Sequence, residues 1–303
     1  MTFSMRSLEG QRDLQRIYDF AQAFPAQHIH VVDLAYRFCT PSAQASENAR
    51  LWEDAQGNLR GFAIVQLPWL TVDYAVHPAA SDAGLEEMML AWALERWPQV
   101  MAEHGLSYSL FVEVRDDQPD RMALLERLGF VRDDWHTLYL SQPLRGPIPT
   151  VQPPEGFTIR PLAGEAEVEG YVALQRAAFG TTNMTVEWRA RTLQAPQYVP
   201  ELDLVAVAPD GALAAFCICW LSQRGHDENG SNAGQVEPIG VRPDLQQRGL
   251  GRAILLEGLR RLQAHGATTA LIESDGDNDP AHGLYESVGF RVAATIWKYR
   301  RDF

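Results

Sequence analysis

Residues 241–258, VRPDLQQRGLGRAILLEG, set two glycines at the start of a helical pattern, with arginines close by. The first N–H groups of a helix lack intrahelical partners, and the peptide dipoles add partial positive charge there. Glycines let an anion approach the backbone closely. Glycines at 249 and 251, three and five residues after Gln246, therefore suit an anion such as a phosphate at this helix start. Arg248 and Arg252 would add charge there, or be solvated surface arginines. No Gly-Lys-Ser/Thr follows, so this is not a Walker A loop. Ile254 holds the third glycine position, so it is not the dinucleotide fingerprint either. By themselves the glycines also fit a plain turn before a helix.

A second stretch, NDPAHGLYESVGF at 278–290, follows one helix and one strand later. Together the two motifs resemble the GNAT superfamily of acyl-CoA-dependent N-acyltransferases, and the resemblance covers residues 157–303. It implies that the anion is the pyrophosphate of coenzyme A, held by backbone N–H groups from Gln247 through Leu250 to Arg252, with acetyl-CoA as acyl donor. Tyr285 matches the tyrosine that protonates the leaving thiolate. A phenol ionises near pH 10, so it holds that proton at neutral pH; the alternative is a packing aromatic. Asn278 matches an asparagine that hydrogen-bonds the cofactor arm, and it could equally be an N-cap.

Glu237 is the candidate base for the incoming amine, acting through a water, and the alternative is a surface glutamate. It lies four residues before Val241, so in an extended strand both face one way. Pro238 argues for a bulge or an edge at this point. By the same resemblance, pantetheine pairs with the backbone at Ile239 and Val241, where an N–H can stabilise the tetrahedral oxyanion. The acceptor implied is a primary amine attacking directly, and no motif names it. A non-catalytic acyl-CoA-binding or interaction protein is the competing reading.

The histidines carry less. His282, three residues before Tyr285, reads as a surface residue. His226 reads as part of a polar loop, and His28 and His30 as a pair without further ligands nearby. No metal site is expected.

The elements that must position these residues occur twice. In the second half, GFTIRPL predicts a strand, 165–179 and 185–194 two helices, and 202–221 a hairpin turning at Asp210-Gly211. A strand at 235–241 precedes a helix over 250–265, with Ile254, Leu255, Leu259 and Leu262 on one face. A strand at 269–273, a helix at 280–288 and a last strand from Phe290 follow. The first half repeats this order. Val76-His77-Pro78 matches Val241-Arg242-Pro243, Leu128-Gly129-Phe130 matches Val288-Gly289-Phe290, and the segment at Arg6 matches that at Arg160. Five prolines within 141–157 mark a linker. The expected organisation is α/β with mixed sheets: domains at 1–142 and 157–303 joined by 143–156. As the resemblance implies, each has a central, mostly antiparallel sheet flanked by helices.

Applied to the first half, the same ruler sets Glu86 and Glu87 against Gly251 and Arg252, Leu125 against Tyr285 and Gln118 against Asn278. Two carboxylates repel a pyrophosphate, so residues 1–140 read as a degenerate copy, serving structure or acceptor binding. Formal net charge is −13, against general nucleic-acid binding. No apolar run reaches membrane-spanning length, and the N-terminus has no apolar signal core. Three cysteines make no disulfide framework; Cys217 and Cys219 are expected on one face of a buried strand, and a cytoplasmic protein is the simplest reading. Lys298 is the single lysine against 25 arginines, which leaves little room for Schiff-base chemistry.

Overall fold

The computed structural model describes residues 2–150, 152–222 and 232–303. The loop carrying His226 lies outside the described residues. The chain forms two compact units, Met1–Thr137 with Ala294–Phe303, and Leu138–Ala293. The first unit's sheet begins with β1 (Ser4–Ser7), β2 (Ala49–Glu53), β3 (Leu59–Gln66) and β4 (Thr71–Val76), each antiparallel to the last. Helix α1 (Gly10–Ala23) and the short α2 (Leu34–Arg37) and α3 (Pro41–Gln44) lie between β1 and β2 in the chain. Helix α4 (Leu85–His104) connects β4 to the parallel strand β5 (Leu110–Arg115), and α5 (Pro119–Arg127) leads to β6 (Val131–Pro143).

The second unit follows the same order. Strand β7 (Thr158–Pro161) precedes α6 (Val168–Phe179) and α7 (Val186–Gln194). Strands β8 (Asp203–Val207), β9 (Leu213–Leu221) and β10 (Ala233–Val241) continue the antiparallel run. Helix α8 (Leu250–Ala264) then crosses to β11 (Thr269–Asp275), parallel to β10, and α9 (Asp279–Val288) leads to β12 (Arg291–Arg301). A crossover through a helix is what joining parallel neighbours requires.

Two boundaries differ from the sequence reading. Ser141, Gln142 and Pro143, expected in or beside the linker, continue β6. Most of β12 belongs to the first unit, where Ile296–Arg301 pair antiparallel with Arg115–Leu110 of β5, while residues from Leu138 onward belong to the second. Periodicity sees a strand but not its partner, so pairing of this kind is invisible to it.

Each unit has its own core. In the second, α8 buries Ile254, Leu255, Leu259 and Leu262, the residues its spacing predicted. Cys217 and Cys219 do share one face of β9, with their Sγ atoms 3.8 Å apart. Both press on Gly258 of α8, where a Cβ would stand 3.0 and 3.1 Å from the two sulfurs. The shared hydrogen bond and burial push the Cys217 thiol far up, so it stays protonated. Among the described residues no helix is long and apolar enough to cross a membrane.

Candidate active site

Strands β10 and β11 are in parallel register from Ala233–Thr269 to Val236–Ile272, and the registered pairs stop there. On the other side of β10 the register against β9 shifts between Val236 and Ile239. The irregularity falls at Glu237-Pro238, whose peptide is cis. Proline has no N–H to give a ladder, so the break is where the sequence placed it. The Glu237 carbonyl instead accepts a 2.7 Å hydrogen bond from the indole of Trp220 on β9, a residue buried to 1% exposure. Sequence reasoning missed Trp220, because one aromatic in an apolar strand carries no sign of such a bond.

Ile239, Gly240 and Val241 then lead out of the parting. Gly240 is required by packing, since a Cβ would meet the Phe216 ring at 2.5 Å. Pro243–Leu245 form a short 3₁₀ turn, and Gln247 and Gly249 both take left-handed backbone, at φ 59 and 82°. Helix α8 starts at Leu250 with Gly249 as N-cap and no side chain capping it. The N-terminal amides of α8 are thus bare, as the spacing predicted. A Cβ on Gly249 would meet nothing within 4 Å, whereas one on Gly251 would lie 3.4 Å from Val241 and 3.5 Å from Leu284. Any longer side chain at 251 would extend from the first turn of the helix.

The flanking cations differ. Arg248 is exposed. Arg252 donates to the Ser287 hydroxyl at 2.6 Å and to its carbonyl at 3.2 Å, tying α8 to α9. Gln246 is exposed and its amide reaches back to the Val241 carbonyl at 3.3 Å.

Tyr285 lies on α9, 6% exposed, its ring edge-on to Phe290. Burial first, and then the Glu237 carboxylate, push its phenol well above its ordinary value. Tyr285 therefore keeps its proton across neutral pH. Glu237 is half-buried. Asn278 caps α9, its Oδ1 accepting from the Ala281 N–H at 3.3 Å. The capping alternative is therefore realised, which leaves the side-chain N–H₂ as its donor. His282, read as a surface residue, is half-buried, and its Nε2 has no hydrogen-bond partner among the described residues.

The corresponding helix of the first unit differs in charge. Gly84 is again a left-handed N-cap, for α4, and no side chain caps it. Glu86, in the first turn beside Glu87, accepts from the Tyr74 hydroxyl at 2.7 Å and from Arg121 at 2.6 Å. The first turn of α8 carries no acid.

The reading of His28 and His30 as lacking nearby ligands is overturned. His30 is 2.9 Å from Glu113 and 3.7 Å from Asp33, and Asp73 lies in the same group. Asp73 and Glu113 come from β4 and β5, so spacing along the chain could not reveal them. The available signal was a carboxylate inside each of two apolar strands, TVDYAV and LFVEVR, together with Asp33 three residues after His30.

Strand β10 leaves its parallel register with β11 after Val236 and runs on through Glu237 to the turn before the uncapped start of α8. Residues 170–290 match the acetyltransferase (GNAT) family. Mycothiol acetyltransferases are similar over most of the chain. That of Kineococcus radiotolerans is 33% identical over 234 residues, 74% of this chain and 70% of its own length. That of Salinispora tropica is 32% identical over 248 residues, 78% and 76% of the two chains. Among solved structures, a GCN5-related N-acetyltransferase from Sphaerobacter thermophilus superposes with TM-score 0.67 at 21% identity, covering 99% of this chain and 95% of that one. A tandem GNAT protein from the clavulanic acid biosynthesis pathway gives 0.68 at 17% identity, covering 99% and 98%. The chain belongs to the GNAT acetyltransferase family. It is an acetyl-CoA-dependent N-acetyltransferase.

Proposed function

We propose that the second unit alone performs the transfer, from acetyl-CoA to a primary amine by direct attack. The observation that carries this is the first turn of α8, uncapped and free of acidic residues, whereas the first turn of α4 holds Glu86 and Glu87. Backbone N–H groups from Gln247 to Arg252 would take the pyrophosphate, with Gln246 and Arg248 at its edge. Pantetheine would enter the parting and pair with the backbone of Ile239 and Val241, with Asn278 donating through its amide. Glu237 would remove the ammonium proton through a water. The neutral amine then attacks the thioester carbonyl, and the oxyanion is held by a backbone N–H of β10. As the tetrahedral intermediate collapses, the thiolate leaves and takes the proton of Tyr285, and the nitrogen gives up its second proton to the Tyr285 phenolate through water, which forms the amide and restores the phenol.

The acceptor we favour is an amine precursor of mycothiol, because the relatives named above carry that activity in their names. A cytoplasmic location is part of this reading, since all three cysteines are buried free thiols. The test is an acetylation assay with mass readout, using acetyl-CoA and an amine panel that includes a mycothiol precursor. Acetylation of that precursor ahead of simple amines and peptide N-termini is expected. Preference for a protein N-terminus or lysine would replace the acceptor assignment.

A further inference from the structure

Three charged residues lie in a row across the sheet of the first unit. Thr71 of β4 is in register with Phe111 of β5, so Asp73 and Glu113, two residues further on each, lie side by side on one face. Lys298 of β12 stands directly opposite Glu113. His30, from the segment before α2, reaches the same two carboxylates. One ligand atom from each of His30, Asp73 and Glu113 lies within 4.8 Å of the others.

Each of the three also has a charged partner of its own. Arg37 holds Asp73 with a fork of 2.7 and 2.8 Å bonds. Lys298 Nζ is 3.0 Å from Glu113 Oε1, which leaves Oε2 facing His30 Nε2 at 2.9 Å. His30 Nδ1 is 3.7 Å from Asp33, which is 2% exposed. This is the arrangement that ligating groups need: imidazole oriented by a carboxylate behind it, and carboxylates fixed by outer hydrogen bonds while keeping free lone pairs.

Three carboxylates, Asp33, Asp73 and Glu113, gather here around His30, with Arg37 on Asp73 and Lys298 on Glu113. The nearby Glu86–Arg121 pair is balanced in itself. A small cavity adjoins the cluster, about 20 Å³, the size of a single water. His28 lines it, is 8% exposed, and its Nε2 has no partner among the described residues.

We propose that His30, Asp73 and Glu113 form a divalent transition-metal site in the first unit, of the Zn²⁺ class, with a water in the cavity completing the shell beside His28. Imidazole with carboxylates suits this class better than Mg²⁺ or Ca²⁺, which take all-oxygen shells. The ion would clasp the segment before α2 onto β4 and β5, where the two strands share a single registered pair.

The experiment uses the full chain, stripped with chelator and titrated with Zn²⁺, Co²⁺ and Mg²⁺ by calorimetry and thermal denaturation. A single Zn²⁺ per chain, a raised melting temperature and a Co²⁺ visible spectrum typical of low coordination number are expected, with no response to Mg²⁺. Glu113→Gln and His30→Gln should weaken Zn²⁺ binding by more than roughly 100-fold, beyond the 10–100-fold usual for an outer partner. Asp33→Asn should fall within that smaller range. Absence of Zn²⁺ binding by the wild-type chain overturns the proposal even if a variant fails to fold, and leaves the cluster an ion network closed by a proton on His30. Wild-type-like binding by folded His30→Gln overturns it equally.

Discussion

Tyr285 has one hydroxyl to contribute, and its surroundings keep that hydroxyl protonated. Burial and Glu237 both favour the neutral phenol. Tyr285→Phe should therefore retain the fold and the acetyl-CoA affinity while turnover drops by roughly 10²–10⁴, the usual worth of a placed general acid. The high-pH limb of the rate profile should move in the variant. Glu237→Gln should instead alter the low-pH limb, where a base must be ionised. The check is steady-state kinetics against pH, together with cofactor affinity by calorimetry. Near wild-type turnover by Tyr285→Phe, measured where chemistry is rate-limiting, would assign the residue to packing. His282, three residues earlier on α9, would then become the proton donor to examine.

The elements repeat with their fastenings. Arg6 on β1 and Arg160 on β7 each reach a carboxylate seven residues on, Asp13 and Glu167. Each carboxylate also accepts a backbone N–H, from Glu9 at 2.9 Å and from Ala163 at 2.7 Å. This is a physical reason for the sequence match at the two arginines. The Arg6 guanidinium holds the Asp13 carboxyl down to about 2. The unfolded chain then takes the proton first as pH falls, so the stabilisation is complete above the ordinary value of 3.8 and is lost between there and about 2. Asp13→Asn should cost about 1–2 kcal/mol at neutral pH, since Arg6 is 34% exposed and water screens the pair. The same substitution should flatten the acid limb of a denaturation-versus-pH curve. At α8, Gly251→Glu should carry the first unit's carboxylate into the phosphate cradle. A large loss of acetyl-CoA affinity by calorimetry is expected in a folded variant. An unchanged affinity would falsify the pyrophosphate assignment.

For the whole molecule, the two units should differ in what they bind. Helix α4 carries Glu86 and Glu87 in its first turn, where α8 carries no acid. Titration with coenzyme A should give about one site per chain, and a second site of similar affinity would contradict the asymmetry. Strand β12 gives a further test. Removal of residues 294–303 deletes the antiparallel partner of β5 and the Lys298 ammonium beside Glu113. Hydrogen exchange should show lost protection in β4 and β5, while the second unit keeps acetyl-CoA binding.

Local chemistry let the sequence by itself determine a good deal. Glycine at 249 and 251, Pro238 after Glu237, and the spacing of Ile254, Leu255, Leu259 and Leu262 each act within a few residues, so their consequences could be read from order alone. The turn, the irregular strand and the buried face of α8 followed, and with them the family. The roles of Tyr285 and Glu237 came from resemblance, and the burial that keeps the Tyr285 phenol protonated came from the fold. The partner of β12, the bond from Trp220 to the Glu237 carbonyl and the gathering of His30, Asp73, Glu113 and Lys298 were decided by tertiary structure. Those residues lie far apart in the chain, and nothing in local propensity or period records which distant strand will lie beside another.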